Sequence, residues 1–238
     1  MTDAVLDKVE GRHSRSRSRG HWLVDFASCN YLGFDWDPEI AARIEPAVRR
    51  WGTHPSWSRL IGSPRLYPEI EERLAELLGA PDTLLLPTLT LIHSSVIPVL
   101  ADGGDVFVEA TAHRTVYDGC VAARAQGAGL HRFHAERPDE LDGLLAAAPG
   151  TGPRLVCLDG VNSMSGNIAD LPALTAVCRD RGATLYVDDA HGFGVIGERG
   201  PDESCPYGAR GNGIVRHLGE SYDGIVLGLL HCGMAGHG

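Results

Sequence analysis

From residue 83 onward, short runs of leucine and β-branched residues alternate with longer stretches whose apolar positions recur every three or four residues. Runs of four to six apolar residues between turn-forming residues suit buried strands, and the longer spacing suits amphipathic helices. The pattern predicts strands at 83–86, 106–108, 130–133, 154–158, 184–187 and 224–227, with helices at 89–100, 116–126, 138–147 and 171–181 between them. Ahead of this alternation lie a strand at 22–27, a turn at Asn30-Tyr31-Leu32-Gly33 and two helices. The first helix, 38–51, has Asp37 placed as N-cap and Pro38 at the first helical position, where a missing N–H is harmless. The second, 67–78, carries Ile70, Leu74, Leu77 and Leu78 on one face and stops at Gly79. Strands alternating with helices imply an α/β fold, a mostly parallel sheet with helices on both faces, and such sheets bind ligands at the carboxyl ends of their strands.

Composition narrows the class. The 238 residues suit one large domain or somewhat more, and 43% apolar with 22% charged residues excludes a disordered chain, a collagen, a coiled coil or a disulfide scaffold. A net charge of −10 argues against a nucleic-acid surface. The local exception, Arg12-His13-Ser14-Arg15-Ser16-Arg17-Ser18-Arg19, reads as a solvated N-terminal arm, since no apolar stretch accompanies it as in a transit peptide. The six cysteines are scattered without Cys-x-x-Cys spacing, which points to a reducing cytoplasm. Residues 1–10 lack the apolar core of a signal peptide, and the apolar stretch 84–101 is broken by prolines, serines and His93, so no membrane span is expected. Of the 21 basic residues, Lys8 is the one lysine.

The strongest chemical signal is Tyr186-Val187-Asp188-Asp189-Ala190-His191-Gly192-Phe193-Gly194-Val195-Ile196-Gly197. A strand delivers two carboxylates and a histidine at its carboxyl end, and glycines then let the chain turn away closely. Two other readings compete: the aspartates cap the next turn while His191 sits in a surface loop, or Asp188, Asp189 and His191 ligate a metal.

This segment resembles the signature of the α-oxoamine synthases, fold-type I enzymes dependent on pyridoxal 5′-phosphate (PLP) that condense an amino acid with an acyl thioester. Four further motifs follow the family's order: Asn30-Tyr31-Leu32-Gly33, Ser58-Arg59-Leu60-Ile61, Ala112-His113 with Tyr117-Asp118-Gly119, and Gly160-Val161-Asn162-Ser163-Met164-Ser165-Gly166. The resemblance implies that Asp188 faces the pyridine nitrogen, that His113 stacks on the ring, and that His191 and Ser163 approach the phenolic oxygen. It implies phosphate binding at Thr88-Leu89-Thr90 and a substrate contact from Asn30. Arg59 and Arg65 are candidate binders of a substrate carboxylate, since a guanidinium pairs with one bidentately, and equally candidate structural ion-pair partners. It also implies a homodimer and amino acid and acyl thioester substrates. Related aminotransferases share the fold and the ring aspartate, and a catalytically silent partner subunit is the non-enzyme alternative.

Three departures stand out. The phosphate turn lacks the family's glycine and aromatic, and ends in His93 where the family has asparagine; Tyr67 stands where many relatives have histidine. The family's Schiff-base lysine follows the last strand of the large domain, but here Gly224-Ile225-Val226-Leu227-Gly228 leads into Leu229-Leu230-His231-Cys232-Gly233-Met234, so the lysine slot falls on His231 or Cys232. Neither side chain forms the same linkage. The expected organisation is an arm and first helix over 1–50 and an incomplete PLP-binding large domain over 51–238, truncated or frameshifted before a small carboxyl-terminal domain, with impaired activity.

Overall fold

The computed structural model describes residues 5–17, 19–53, 58–148, 150 and 152–228. The lysine slot at His231 and Cys232 lies outside the described residues. Contacts divide the described chain into two units, one up to Pro64 and one from Arg65 to Gly228.

In the first unit, β1 (Leu6–Glu10), β2 (His13–Ser16) and β3 (Trp22–Val24) form an antiparallel sheet in that order. This corrects the expectation of a solvated arm: the arginine-serine alternation has the period of a strand, and it buries Ser14 and Ser16 while leaving His13 and Arg15 exposed. β3 also ends at Val24, earlier than the predicted 27. The helix α1 (Pro38–Trp51) begins and ends as expected, with the Asp37 carboxylate accepting from the Glu39 and Ile40 N–H groups. Its apolar residues Ile40, Ile44 and Val48, one turn apart, remain exposed.

The second unit opens with α2 (Leu66–Leu78), closed by Gly79 in the left-handed conformation. It continues through α3 (Leu89–Ala101), β4 (Asp105–Glu109), α4 (Arg114–Ala125), β5 (Gly129–Phe133), α5 (Pro138–Ala147), β6 (Arg154–Asp159), α6 (Leu171–Arg181), β7 (Thr184–Asp188), α7 (Gly213–His217) and β8 (Ile225–Gly228). The five strands lie side by side in the order β5-β4-β6-β7-β8, all parallel. Alternate residues feed two cores. Phe107, Val156, Leu158, Leu185 and Val187 pack with α5, α6 and α7, and Val106, Val108, Leu155, Cys157 and Tyr186 pack with α3 and α4. Strands buried on both faces are what near-continuous apolar runs require.

The segment 83–86, expected as a strand, makes no ladder among the described residues. Its polar groups turn to α2 instead: the Thr83 hydroxyl donates to the Glu71 carbonyl (2.6 Å) and the Leu85 N–H to the Glu71 carboxylate (2.7 Å). The short helix α7 was not foreseen, because five residues opening on glycine carry no helical period. No helix among the described residues is long and apolar enough to cross a membrane.

Candidate active site

The register of the parallel strands sets the site. Asp159 ends β6 beside Asp188 at the end of β7, and Gly228 ends β8 on the other side. Asp188 is 4% exposed. Its Oδ1 accepts from the Ala190 N–H at 3.1 Å, and its Oδ2 lies 3.5 Å from His93 Nε2. Burial pushes its carboxyl up to about 7, with the nearby Asp159 charge adding to the rise and the Ala190 N–H opposing it.

His93 is fully buried in the middle of α3, against the edge of the Tyr186 ring. Burial, helped by repulsion from His113, pushes its imidazole down to about 4, so the ring is neutral near neutral pH. Its Nδ1 is 2.9 Å from the Thr115 hydroxyl, which is also 2.8 Å from Nδ1 of His113. α3 and α4 come this close because residue 119 is glycine: a Cβ there would stand 2.5 Å from the His93 carbonyl oxygen.

The second aspartate of the doublet does something different. Asp189 is completely buried on the other side of the chain, where its Oδ2 accepts the Ile214 N–H at 2.8 Å at the start of α7. Glycines at 192 and 213 leave room for it, since a Cβ at either would fall within 2.5 Å of a carboxylate oxygen. Burial pushes Asp189 up to about 8, further raised by Asp188 and opposed by the Ile214 N–H. Asp188 thus takes an N–H of the turn that follows on Oδ1 while its Oδ2 faces His93 on α3, and Asp189 holds the start of α7, 25 residues on.

The remaining expected residues fall into three groups. His113 is exposed at the N-terminus of α4, with its backbone N–H donating to Asp159 Oδ1 at 3.0 Å, and half-buried His191 lies within electrostatic reach of it, which together with burial lowers the His191 imidazole. Ser163 sits in the loop after β6, where Asn162 organises the turn by accepting from the Met164 and Ser165 N–H groups. Thr88 caps α3, its hydroxyl accepting the Leu91 N–H at 3.1 Å; Thr90 is exposed and Leu89 buried in the first turn. Asn30 and Arg59 belong to the other unit, where Asn30 Oδ1 accepts from the Gly33 N–H and its amide donates to Asp35. Sequence reasoning missed Thr115 and Asp159, and named His93 only as a departure. A cleft of about 830 Å³ lined by Glu109, Thr111, Glu136, Asp159, Asn162 and Asp170 opens beside β6, and neither Asp188 nor His191 lines it. Among the described residues no group of three or more His, Cys, Asp or Glu is arranged to hold a metal ion.

The sequence profile of the family described as aminotransferase class I and II matches residues 23–226. The chain belongs to that family. Within the aminotransferase class I and II family its relatives include an 8-amino-7-oxononanoate synthase from Chromohalobacter salexigens, 41% identical over 75% of this chain and 46% of the relative. Another, from Pseudomonas putida, is 38% identical over 91% of this chain and 53% of the relative. Among solved structures, a serine palmitoyltransferase from Sphingomonas wittichii superposes with a TM-score of 0.79 at 29% identity, covering 90% of this chain and 51% of that one. A serine palmitoyltransferase from S. paucimobilis, solved with a bound PLP-myriocin aldimine, gives 0.78 at the same identity and coverage. These relatives place the chain with the α-oxoamine synthases, on the fold of the large domain of fold-type I transferases. The chain spans about half the length of the curated relatives it matches.

Proposed function

We propose that this chain binds pyridoxal 5′-phosphate at the carboxyl ends of its parallel strands, as the cofactor-binding part of an acyltransferase that joins an amino acid to an acyl thioester. Asp188 carries the reading. It is a buried carboxyl whose basic neighbour among the described residues, His93, is held neutral by burial, and whose acidic neighbour Asp159 adds no compensating charge. A carboxylate in that condition gains most from a cation that arrives with a ligand, and a protonated ring nitrogen is such a cation. The cofactor, when bound, supplies an electron sink for the charge left at the amino acid's α-carbon. With the cofactor bound, Asp188 would keep its ring nitrogen protonated, His113 would support the ring, and His191 and Ser163 would be the donors for its phenolic oxygen. The start of α3 takes the phosphate: the first-turn N–H groups of Leu89 and Thr90 have no intrahelical acceptor, and the Thr88 hydroxyl accepts from Leu91 while keeping its own proton to donate.

Since Lys8 is its one lysine, we infer that the 238-residue polypeptide holds the cofactor reversibly and shows little or no turnover by itself. We also infer that it self-associates, which the exposed row Ile40, Ile44 and Val48 on α1 supports. The test is a visible absorbance titration with PLP, followed by borohydride reduction and mass analysis. Saturable binding that weakens in Asp188→Asn is expected. Absence of a spectral change, or binding indifferent to that substitution, refutes the assignment; a covalent adduct at Lys8 overturns reversible anchoring, and multiple turnovers with amino acid and acyl-CoA overturn the inactivity.

A further inference from the structure

The hydrogen-bond partners of Asp188, His93, Thr115 and His113 fix where their protons sit. A backbone N–H only donates, and the Thr115 N–H points at His113 Nδ1 (3.3 Å), so that nitrogen is an acceptor. The Thr115 hydroxyl, 2.8 Å from the same nitrogen, therefore gives its one proton to His113. Its oxygen must then receive from His93 Nδ1 at 2.9 Å, which places the proton of the neutral His93 ring on Nδ1 and leaves Nε2 bare. Among the described residues Nε2 has no hydrogen-bond partner, and it faces Asp188 Oδ2 at 3.5 Å, about half an ångström beyond a hydrogen bond. Two bare acceptors repel, so this arrangement is stable when Asp188 carries a proton aimed at His93.

We propose that Asp188, His93, Thr115 and His113 form a proton relay through which the buried Asp188 ionises by passing its proton, one step per group, to the exposed His113. The steps balance. The Asp188 Oδ2 proton moves to His93 Nε2, the His93 Nδ1 proton to Thr115 Oγ1, and the Thr115 hydroxyl proton to His113 Nδ1; His113 then releases its Nε2 proton to solvent. At the end Asp188 is a carboxylate with a His93 Nε2–H donor facing it, His93 and His113 have exchanged the nitrogen that carries the proton, and the Thr115 N–H has given up its 3.3 Å contact with His113 Nδ1, which now donates to the Thr115 hydroxyl oxygen. No charge is left on His93 at any resting point, in keeping with its burial.

Other titratable groups bear on the relay. Burial favours the protonated form of Asp188, with Asp159 at the end of β6 adding to it, and burial likewise raises Asp189 behind it, with an ionised Asp188 adding to that rise. The Tyr186 ring lies edge-on to His93 at 5.7 Å, and its phenol is pushed up by burial, so it stays neutral. His191 approaches His113 from the loop after β7. His93 and Thr115 are thus positioning residues: they act on a bound ring nitrogen through Asp188. That use rests on the reading proposed above, while the relay itself stands on the cofactor-free geometry.

Nitrogen-15 NMR of histidine-labelled, cofactor-free 238-residue chain tests it between about pH 5 and about pH 9, the range over which such groups change state. His93 is expected to change from the Nδ1–H to the Nε2–H tautomer, and the neutral form of His113 from Nε2–H to Nδ1–H, in one common step near the value of about 7 for Asp188. Thr115→Val should uncouple the two changes and Thr115→Ser should restore them, a pattern that a merely structural threonine does not give. One fixed tautomer at His93 through the whole range, separate midpoints for the two histidines in the parent chain, or a common step surviving in Thr115→Val overturns the relay. If the tautomers switch together and PLP still does not bind, the cofactor reading fails and the relay stands; if PLP binds and the tautomers do not move, the reverse holds.

Discussion

Replacing Asp188 by asparagine should make the cofactor-free chain more stable at alkaline pH. In the unfolded chain this carboxyl ionises around the ordinary value of 3.8, whereas in the folded one burial holds the proton until about 7. Between those values the folded state binds more protons than the unfolded state, so stability is fully present below 3.8 and is lost as pH rises through about 7. At about 1.4 kcal/mol per pH unit, that displacement amounts to a penalty of about 4 kcal/mol above the window. Asparagine has the same shape, keeps an oxygen for the Ala190 N–H, and offers an N–H to the bare Nε2 of His93, without ever acquiring a charge. Urea unfolding followed by circular dichroism, at a series of pH values, should show the two proteins converging near pH 4 and Asp188→Asn ahead by about 2 to 4 kcal/mol near pH 8, the lower figure allowing for local relaxation. Asp189 and Asp159 titrate in both proteins and largely cancel in the difference. A gap that does not change with pH, or a variant less stable than the parent near pH 8, would refute the claim that Asp188 is held uncharged by burial.

Gly119→Ala should lower stability by about 1 to 3 kcal/mol in urea unfolding, because its Cβ would meet the His93 carbonyl oxygen and the Ile97 side chain at 2.5 and 2.9 Å and force α3 away from α4. Among the cysteines of the described residues, thiol labelling of the native chain, read by peptide mass mapping, should modify the exposed Cys29 and Cys205 first; Cys120, Cys157 and Cys178 are buried and react on unfolding, with burial pushing the Cys178 thiol up to about 12.

Elements with local punctuation were legible in the sequence. α1 and α6 have the expected bounds because Asp37, Pro38, Gly52 and Gly182 mark their ends chemically, whatever they pack against. The strand expected at 83–86 failed for the opposite reason: a strand needs a neighbour, and Glu71 supplies its partners from a helix. β2 was hidden because its inward-facing positions are serines, which carry the period of a strand without its apolar signal. Motifs single out Asp188, His113 and His191, and the structure puts them at the end of β7, at the start of α4 and in the loop after β7. The doublet at 188–189 did not say which aspartate faces which side, since that depends on the packing of α7 against β7. His93 and Thr115 lie 22 residues apart and meet because of the close helix crossing at Gly119, a contact that no local spacing encodes.

The paired aspartates also bear on how β7 finds its place during folding. Displacing that strand by one residue would carry one aspartate into the other's location and bring Val187 or Ala190 into the location left over, so an acid group would still occupy one of the two and the polar end gives only partial protection against misalignment. Discrimination falls to the apolar stretch behind it, where Tyr186 occupies one core and Leu185 and Val187 the other. A shifted strand would thrust a phenol ring into space shaped for two aliphatic chains. The bulk of one aromatic residue, more than the acids it precedes, thereby decides which carboxylate is left to meet the outside chemistry.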